Sequence, residues 1–180
     1  MKKRSLLMCL GLASGVLGAS EPPQVVLHGT VTTESGEHPA WFTLMCTQGS
    51  GGALSMQLAL VADTAPAFPF DAYEGPDAPA SHQPSAELRV GHQSLASVPV
   101  AGWYGGDGPG MFVFGIATTP GQRNAITRAV AALSKSGVTF TWIQNSGNVQ
   151  TPPLMAQFVP DAAQSLALQR IAAPCLPHRR

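Results

Sequence analysis

Apolar side chains alternate with small or polar ones in several parts of this chain, and that period constrains its fold more than any other feature. The pattern is clearest in residues 54–60, where leucine and methionine alternate with serine, glutamine and alanine, and it returns in residues 138–142. Successive side chains of a β-strand point to opposite faces, so this period predicts strands with one buried face. We therefore expect a sheet that packs one face against a core.

Other short segments rich in β-branched and aromatic residues predict further strands at residues 25–33, 40–46, 87–90, 94–100, 111–118 and 154–158. Ser35-Gly36 and residues 49–52 supply turns between the first three strands and predict an antiparallel meander. Residues 64–85 contain five prolines, each without a backbone donor, and predict a long loop without a helix or central strand. Glycine-dense residues 105–110 predict a turn.

Two helix signals complete the pattern. Residues 119–122 (TPGQ) form a helix start, and the apolar face that follows ends before Gly137. Asp161 with Gln164 forms a second start, and its helix ends before Pro174. The predicted fold is β-rich α+β, an antiparallel β-sandwich-like domain with one internal helix and a C-terminal helix.

The first 20 residues have the pattern of a secretory signal peptide. Residues 2–4 are basic, residues 6–17 are apolar and uncharged, and small residues at 18–20 suit a signal peptidase. A membrane anchor is the alternative, but it needs about 20 apolar residues to cross the hydrocarbon core. We expect cleavage after Ala19 or Ser20 and a single domain over residues 21–180, in the periplasm or outside the cell.

Removal of the leader changes the charge balance of the protein. The whole chain has 10 Lys and Arg against 10 Asp and Glu, and loss of three basic residues leaves 7 against 10. A nucleic-acid-binding protein needs a basic stripe to displace counterions from phosphates, and the remaining cations are scattered. Nucleic acid is therefore excluded as a partner, and no further segment predicts a membrane span.

Two of the three cysteines remain after loss of Cys9 with the leader. In an oxidising compartment Cys46 and Cys175 are expected to form a disulfide. Closing a loop of about 130 residues is worth roughly 4 to 5 kcal/mol in the chain-entropy model. The open alternatives are a reactive Cys46 and a metal site that uses both cysteines.

The order of elements resembles that of known families. A strand at residues 41–46 (WFTLMC) ends in cysteine, an alternating strand follows at 54–61, and a helix-to-strand passage covers 125–143. Residues 156–158 (AQF) and 166–171 (LALQRI) then lead to the second cysteine. In this order the chain resembles the type VI secretion-associated TagO family, and it is similar to the invasion-associated locus B family. The resemblance implies a periplasmic accessory or immunity-type protein with no catalytic residues to carry over.

Patterns that carry chemistry are few. The five histidines never stand at the short spacing of metal ligands, so neither a metal nor another cofactor is expected. No Gly-x-Ser-x-Gly elbow is present, although a triad assembled only in space stays open. The acidic residues at 63, 71, 74 and 77 are expected to be solvated charges of the proline-rich loop.

Aromatic residues are the candidates for a partner-binding surface. Trp103 and Tyr104 adjoin the glycine-dense turn and are either exposed interface anchors or rings packed under it. Phe68, Phe70 and Tyr73 in the proline-rich loop form a second candidate surface or a cover over the sheet.

These observations favour a non-catalytic periplasmic protein-binding protein, which assists type VI secretion or inhibits a toxin. Its partner would be a secreted toxin or effector, or a component of the secretion machine. The alternatives are a periplasmic hydrolase whose site is not visible in the sequence and a structural envelope protein. Turnover abolished by one Ser, His or Asp substitution would distinguish the hydrolase from a protein-binding protein.

Overall fold

Strands are the main element of the protein. A computed structural model describes residues 23–47, 53–105, 108–118, 123–133 and 137–176. The strands are β1 (Gln24–Thr33), β2 (Gly36–Thr47), β3 (Ala53–Val61), β4 (Pro84–Val90), β5 (Gln93–Ser94), β6 (Val98–Pro99), β7 (Ala101–Tyr104), β8 (Met111–Ala117), β9 (Phe140–Gln144) and β10 (Leu154–Phe158). The helices are α1 (Arg123–Leu133) and α2 (Ala162–Ala172). Among the described residues, no helix is both long and apolar enough to cross a membrane.

All ten strands belong to one antiparallel sheet. Its order is β5-β4-β9-β10-β1-β2-β3-β8-β7, and β6 pairs with β4. The first three strands form the predicted meander, and β10 pairs with the free edge of β1. The predicted fold class is confirmed: an antiparallel, β-rich α+β domain with one internal helix, a C-terminal helix and one disulfide.

The inner face of the sheet forms the core. The alternating residues of β3 at positions 54, 56, 58 and 60 are all buried, as the period predicts. Helix α2 packs against β1 and β2, and α1 packs against β4, β3 and α2. The rings of Phe42 on β2 and Phe140 on β9 lie 4.7 Å apart although two strands separate them, so the sheet curls around these helices.

The disulfide between Cys46 and Cys175 is confirmed. It joins the end of β2 to the short 3-10 helix Ala173–Cys175 that follows α2, with the two Cα atoms 5.9 Å apart. Both cysteines are buried. The start of α2 is also confirmed, because the Asp161 carboxylate accepts a hydrogen bond from the Gln164 backbone and the Gln164 side chain accepts one from the Asp161 backbone.

Several predicted boundaries change. The strand predicted at 94–100 is broken into β5 and β6, and β7 occupies residues that were expected to lead into a turn. A short 3-10 helix, Ala62–Thr64, leads into the proline-rich loop, and the loop contains two more, Phe70–Tyr73 and Pro79–His82. Residues 1–20, the turn at 49–52 and the helix start at 119–122 lie outside the described residues.

Replacement of both cysteines, Cys46→Ser with Cys175→Ser, should lower the free energy of unfolding by about 4 to 5 kcal/mol. The reason is that the unfolded chain regains the entropy of the loop between positions 129 residues apart. Urea unfolding of the oxidised protein and of the double variant measures this difference. Reduced and alkylated wild-type protein should show a similar loss, and an unchanged free energy of unfolding in the double variant would contradict the prediction.

Candidate functional site

A row of outward-facing residues crosses the sheet from β7 to β1. The strand register places Trp103 opposite Val113, Val113 opposite Ala59, Ala59 opposite Trp41, and Trp41 opposite His28. Directly opposed residues of an antiparallel sheet share a face, so all five side chains lie on the outer face. The two tryptophans therefore stand three strands apart on the same surface, with smaller side chains between them.

These residues form a groove, called here the outer groove. Neighbouring strands are about 4.8 Å apart, which places the backbones at Trp103 and Trp41 roughly 14 Å from each other. Val113 and Ala59 form the floor between them, and the groove has a volume of about 440 Å³. The remaining lining residues are Gln24, Val26, Thr43, Gln57, Gly108 and Met111. Among the described residues that line the groove, none is charged.

The Trp103 ring is held by a close approach to Gly115. Trp103 is 39% exposed, and a Cβ atom on Gly115 would lie only 2.8 Å from Cζ3 of its indole ring. The ring can lie in this position because residue 115 has no side chain. At the other wall, the Trp41 ring makes an edge contact with His28, at 6.5 Å between ring centroids.

Tyr104 lies on the opposite face of β7 from Trp103. Its ring contacts Phe112 edge-on at 4.9 Å, and its hydroxyl donates a hydrogen bond to Asp71 Oδ1 at 2.7 Å. That hydrogen bond, with burial and the charges of Asp71, Glu74 and Asp63, raises the pKa of Tyr104 to about 12. The two predicted residues therefore belong to a strand, and only Trp103 lies in the outer groove.

The prediction of a second exposed surface, in the proline-rich loop, is wrong. Phe68, Phe70 and Tyr73 are each 5% exposed or less, and they pack against Phe112 and Phe114 on the inner face of β8. The Tyr73 hydroxyl donates to the Asn145 carbonyl, and burial raises its pKa. The prolines turn this segment so that its rings cover the sheet, which is the second of the two readings that the sequence left open.

A serine and a histidine meet at the β1–β2 turn. Ser35 Oγ lies 2.8 Å from His38 Nε2 and also donates to the Thr64 carbonyl at 2.7 Å. The sequence patterns do not single out this pair, because its two members are three residues apart in a hairpin turn and match no catalytic motif. Within the described residues, no group of three or more His, Cys, Asp or Glu could hold a metal ion.

Trp41, Val113 and Gly115 are further site residues that the sequence patterns did not single out. The available signal is that Trp41 stands between Ala40 and Phe42, which are both buried, so the period of two places Trp41 on the outer face. No protein-family model, curated protein or solved structure matches this chain. The outer groove and the Ser35–His38 contact are the features from which its function can be inferred.

The ionisation of Tyr104 provides a test of its contact with Asp71. The difference in tyrosinate absorbance between wild type and Tyr104→Phe should titrate near pH 12. Because the folded-state pKa lies above the unfolded value of 10.0, the stabilisation from this contact is complete below pH 10 and is lost as the pH rises through about 12. In Asp71→Asn the Tyr104 pKa should fall toward 10, and a Tyr104 pKa that is the same with and without Asp71 would contradict the assignment.

Proposed function

We propose that this protein is an exported, non-catalytic protein-binding protein that uses the outer groove to bind one partner. The single observation behind the proposal is a groove between two partly exposed tryptophans, with no charged residue among its described lining residues. Tryptophan is among the residues that most often dominate binding energy, and charged residues are depleted from interface cores. The composition of the groove is that of an interface core without its partner.

The scaffold of the groove also favours binding. Apart from Gly108, which lies between β7 and β8, its residues lie on the adjacent strands β1, β2, β3 and β8 and on the short strand β7. Side chains held by a sheet lose less conformational freedom on association than side chains on a mobile loop. The Trp103 ring is already restrained by Gly115 in the free protein, which reduces the entropy cost of binding.

The place of action that we propose is the periplasm, after removal of residues 1–20. A buried disulfide between Cys46 and Cys175 is compatible with an oxidising compartment. The resemblance to the TagO family supports a role as a type VI secretion accessory or as a toxin inhibitor. In either role the partner is a secreted toxin or effector, or a component of the secretion machine.

Trp103→Ala should weaken partner binding at least about 30-fold, the effect expected for a hot spot worth 2 kcal/mol or more. Gly115→Ala should weaken it as well, because the added Cβ displaces the Trp103 ring without removing it. The measurement is affinity capture from exported proteins on the oxidised protein, followed by calorimetric titration of the purified partner.

Tyr104→Phe is the matched control, since it changes the neighbouring residue on the opposite face of β7 and should leave affinity unchanged. Thermal unfolding of each variant verifies that the sheet is intact. A partner that binds Trp103→Ala and Gly115→Ala as tightly as wild type would overturn the use of the outer groove.

The Ser35–His38 contact favours a second candidate, a hydrolase. A serine is activated when its hydroxyl donates to a histidine nitrogen, and Ser35 lies within reach of His38 Nε2 for that. Its single proton is donated to the Thr64 carbonyl, so activation requires the hydroxyl to turn toward His38. Our proposal predicts no turnover of activated ester substrates by wild-type protein, and no difference in Ser35→Ala. Turnover by wild type that disappears in both Ser35→Ala and His38→Ala, with unfolding temperatures unchanged, would establish the hydrolase instead.

A further inference from the structure

Strand β1 is paired on both sides along only part of its length. Strand β2 pairs with all of β1, whereas β10 pairs with residues 30–32. A Cβ atom on Gly29 would overlap the Gln157 carbonyl oxygen and the ring of Phe158, which is buried, so β10 crosses to the inner side of β1 at this point. The absence of a side chain at Gly29 makes the crossing possible. Residues 24–29 therefore form an edge within the sheet, called here the open edge.

The register of β1 determines which backbone groups face the open edge. The Cys46 amide donates to the Pro23 carbonyl, and hydrogen-bonded pairs alternate with non-bonded pairs along an antiparallel ladder. Odd-numbered residues of β1 therefore bond to β2. Gln24, Val26 and His28 direct their N–H and C=O groups to the other side. The ladder with β10 agrees, because it begins and ends at even-numbered residues of β1.

The backbone groups at the open edge have no backbone partner among the residues that the structure describes. The edge is also accessible, since Val26 is 41% exposed and Val159, the first residue after β10, is 62% exposed. An unpaired strand edge can pair with another extended chain, and proteins often block such an edge with lysine, proline or a covering segment. Residues 24–29 (QVVLHG) contain neither lysine nor proline. The open edge is thus suited to accept a strand.

The open edge differs from the outer edges of the sheet and adjoins the outer groove. The outer side of β4 is paired with β5 and β6, and the edge of β7 is met by Glu74 at Gly102. Two residues of the open edge, Gln24 and Val26, also line the outer groove. A strand added beside β1 would therefore place its outward side chains along the border of that groove.

We infer that the open edge binds an extended segment of the partner protein as an added β-strand, hydrogen-bonded to the backbone of Gln24, Val26 and His28. This inference rests on the proposed function and specifies the form in which the partner is recognised. Residues 24–29 contain no Lys, Arg, Asp or Glu, and neither do the described lining residues of the groove. The added segment is therefore uncharged and rich in β-branched side chains, with main-chain bonds that supply affinity.

A second copy of this chain fits the open edge less well. Two open edges paired about a two-fold axis at Val26 would place Pro23 of each copy opposite Gly29 of the other. The chain before Pro23 would then run toward the position opposite Thr30, which Gln157 already occupies. A separate segment that ends before this position avoids the collision.

The test is amide hydrogen exchange of the oxidised protein, measured by nuclear magnetic resonance. In the free protein, the Val26 and His28 amides should exchange at least about tenfold faster than those of Val25 and Leu27, which bond to β2. The probe is a short, capped synthetic peptide of alternating threonine and valine, which should slow exchange at Val26 and His28. A peptide of the same length with prolines at its centre lacks the donors and should have no effect.

A pair of variants at His28 isolates the backbone from the side chain. His28→Pro and His28→Ala both remove the imidazole, but only His28→Pro also removes an N–H group that faces the open edge. We expect His28→Pro to bind the probe peptide at least about tenfold more weakly than His28→Ala. Exchange protection at Leu27, which bonds to β2, verifies in each variant that the β1–β2 ladder is intact.

The outcomes separate this inference from the function on which it rests. Unchanged exchange at Val26 and His28 with the probe peptide would overturn the inference, while capture of a Trp103-dependent partner would still support the function. Slow exchange at both amides in the dilute free protein would show that the chain itself covers the edge, and slowing that grows with protein concentration would assign the edge to a second copy. Either result overturns the inference. Protection by the peptide, with partner binding unaffected by Trp103→Ala, would support the open edge and overturn the use of the outer groove.

Discussion

The register between β2, β3 and β8 is the constraint on which both faces of this protein depend. On β2, Phe42 and Leu44 point into the core, while the alternate residues Trp41 and Thr43 point into the outer groove. A shift of one residue would exchange these sets, which would bury Trp41 and expose Phe42. The apolar inner face fixes the register because it has a core to fill. The same register determines which side chains line the outer groove, so packing of the core also sets the geometry of the groove.

Sequence patterns predicted the individual strands and helices of this fold better than they predicted which strands pair with each other. The period of two in β3 and the capping box at Asp161 are local signals, and both were confirmed. The pairing of β10 with β1 joins segments about 125 residues apart, so no local pattern reports it. Strand β7 was missed because Ala101 and Gly102 are weak strand formers, and Gly102 is needed where the Phe112 ring leaves no room for a Cβ.

The candidate site was only partly predictable for the same reason. Trp103 is conspicuous in the sequence, but its partner across the groove, Trp41, can be identified only when the order of the strands is known. In the sequence, Phe68 and Phe70 are candidates for a partner-binding surface on the same grounds as Trp103, since all three are aromatic and close to prolines or glycines. Burial separates them: the proline-rich segment folds its rings onto β8, whereas Trp103 lies on the outer face and is 39% exposed.

Strand β7 carries both Trp103, a wall of the outer groove, and Tyr104, whose hydroxyl contacts Asp71. Trp103 and Tyr104 are consecutive, so the pleat sends one ring into the outer groove and the other toward Asp71. A movement of β7 would displace the groove wall and the Tyr104–Asp71 contact together. Because its neighbours are β8 on one side and the Glu74–Gly75 segment on the other, that movement is resisted at both edges. The Trp103 wall of the outer groove and the Tyr104–Asp71 contact therefore keep a fixed separation on the two faces of β7.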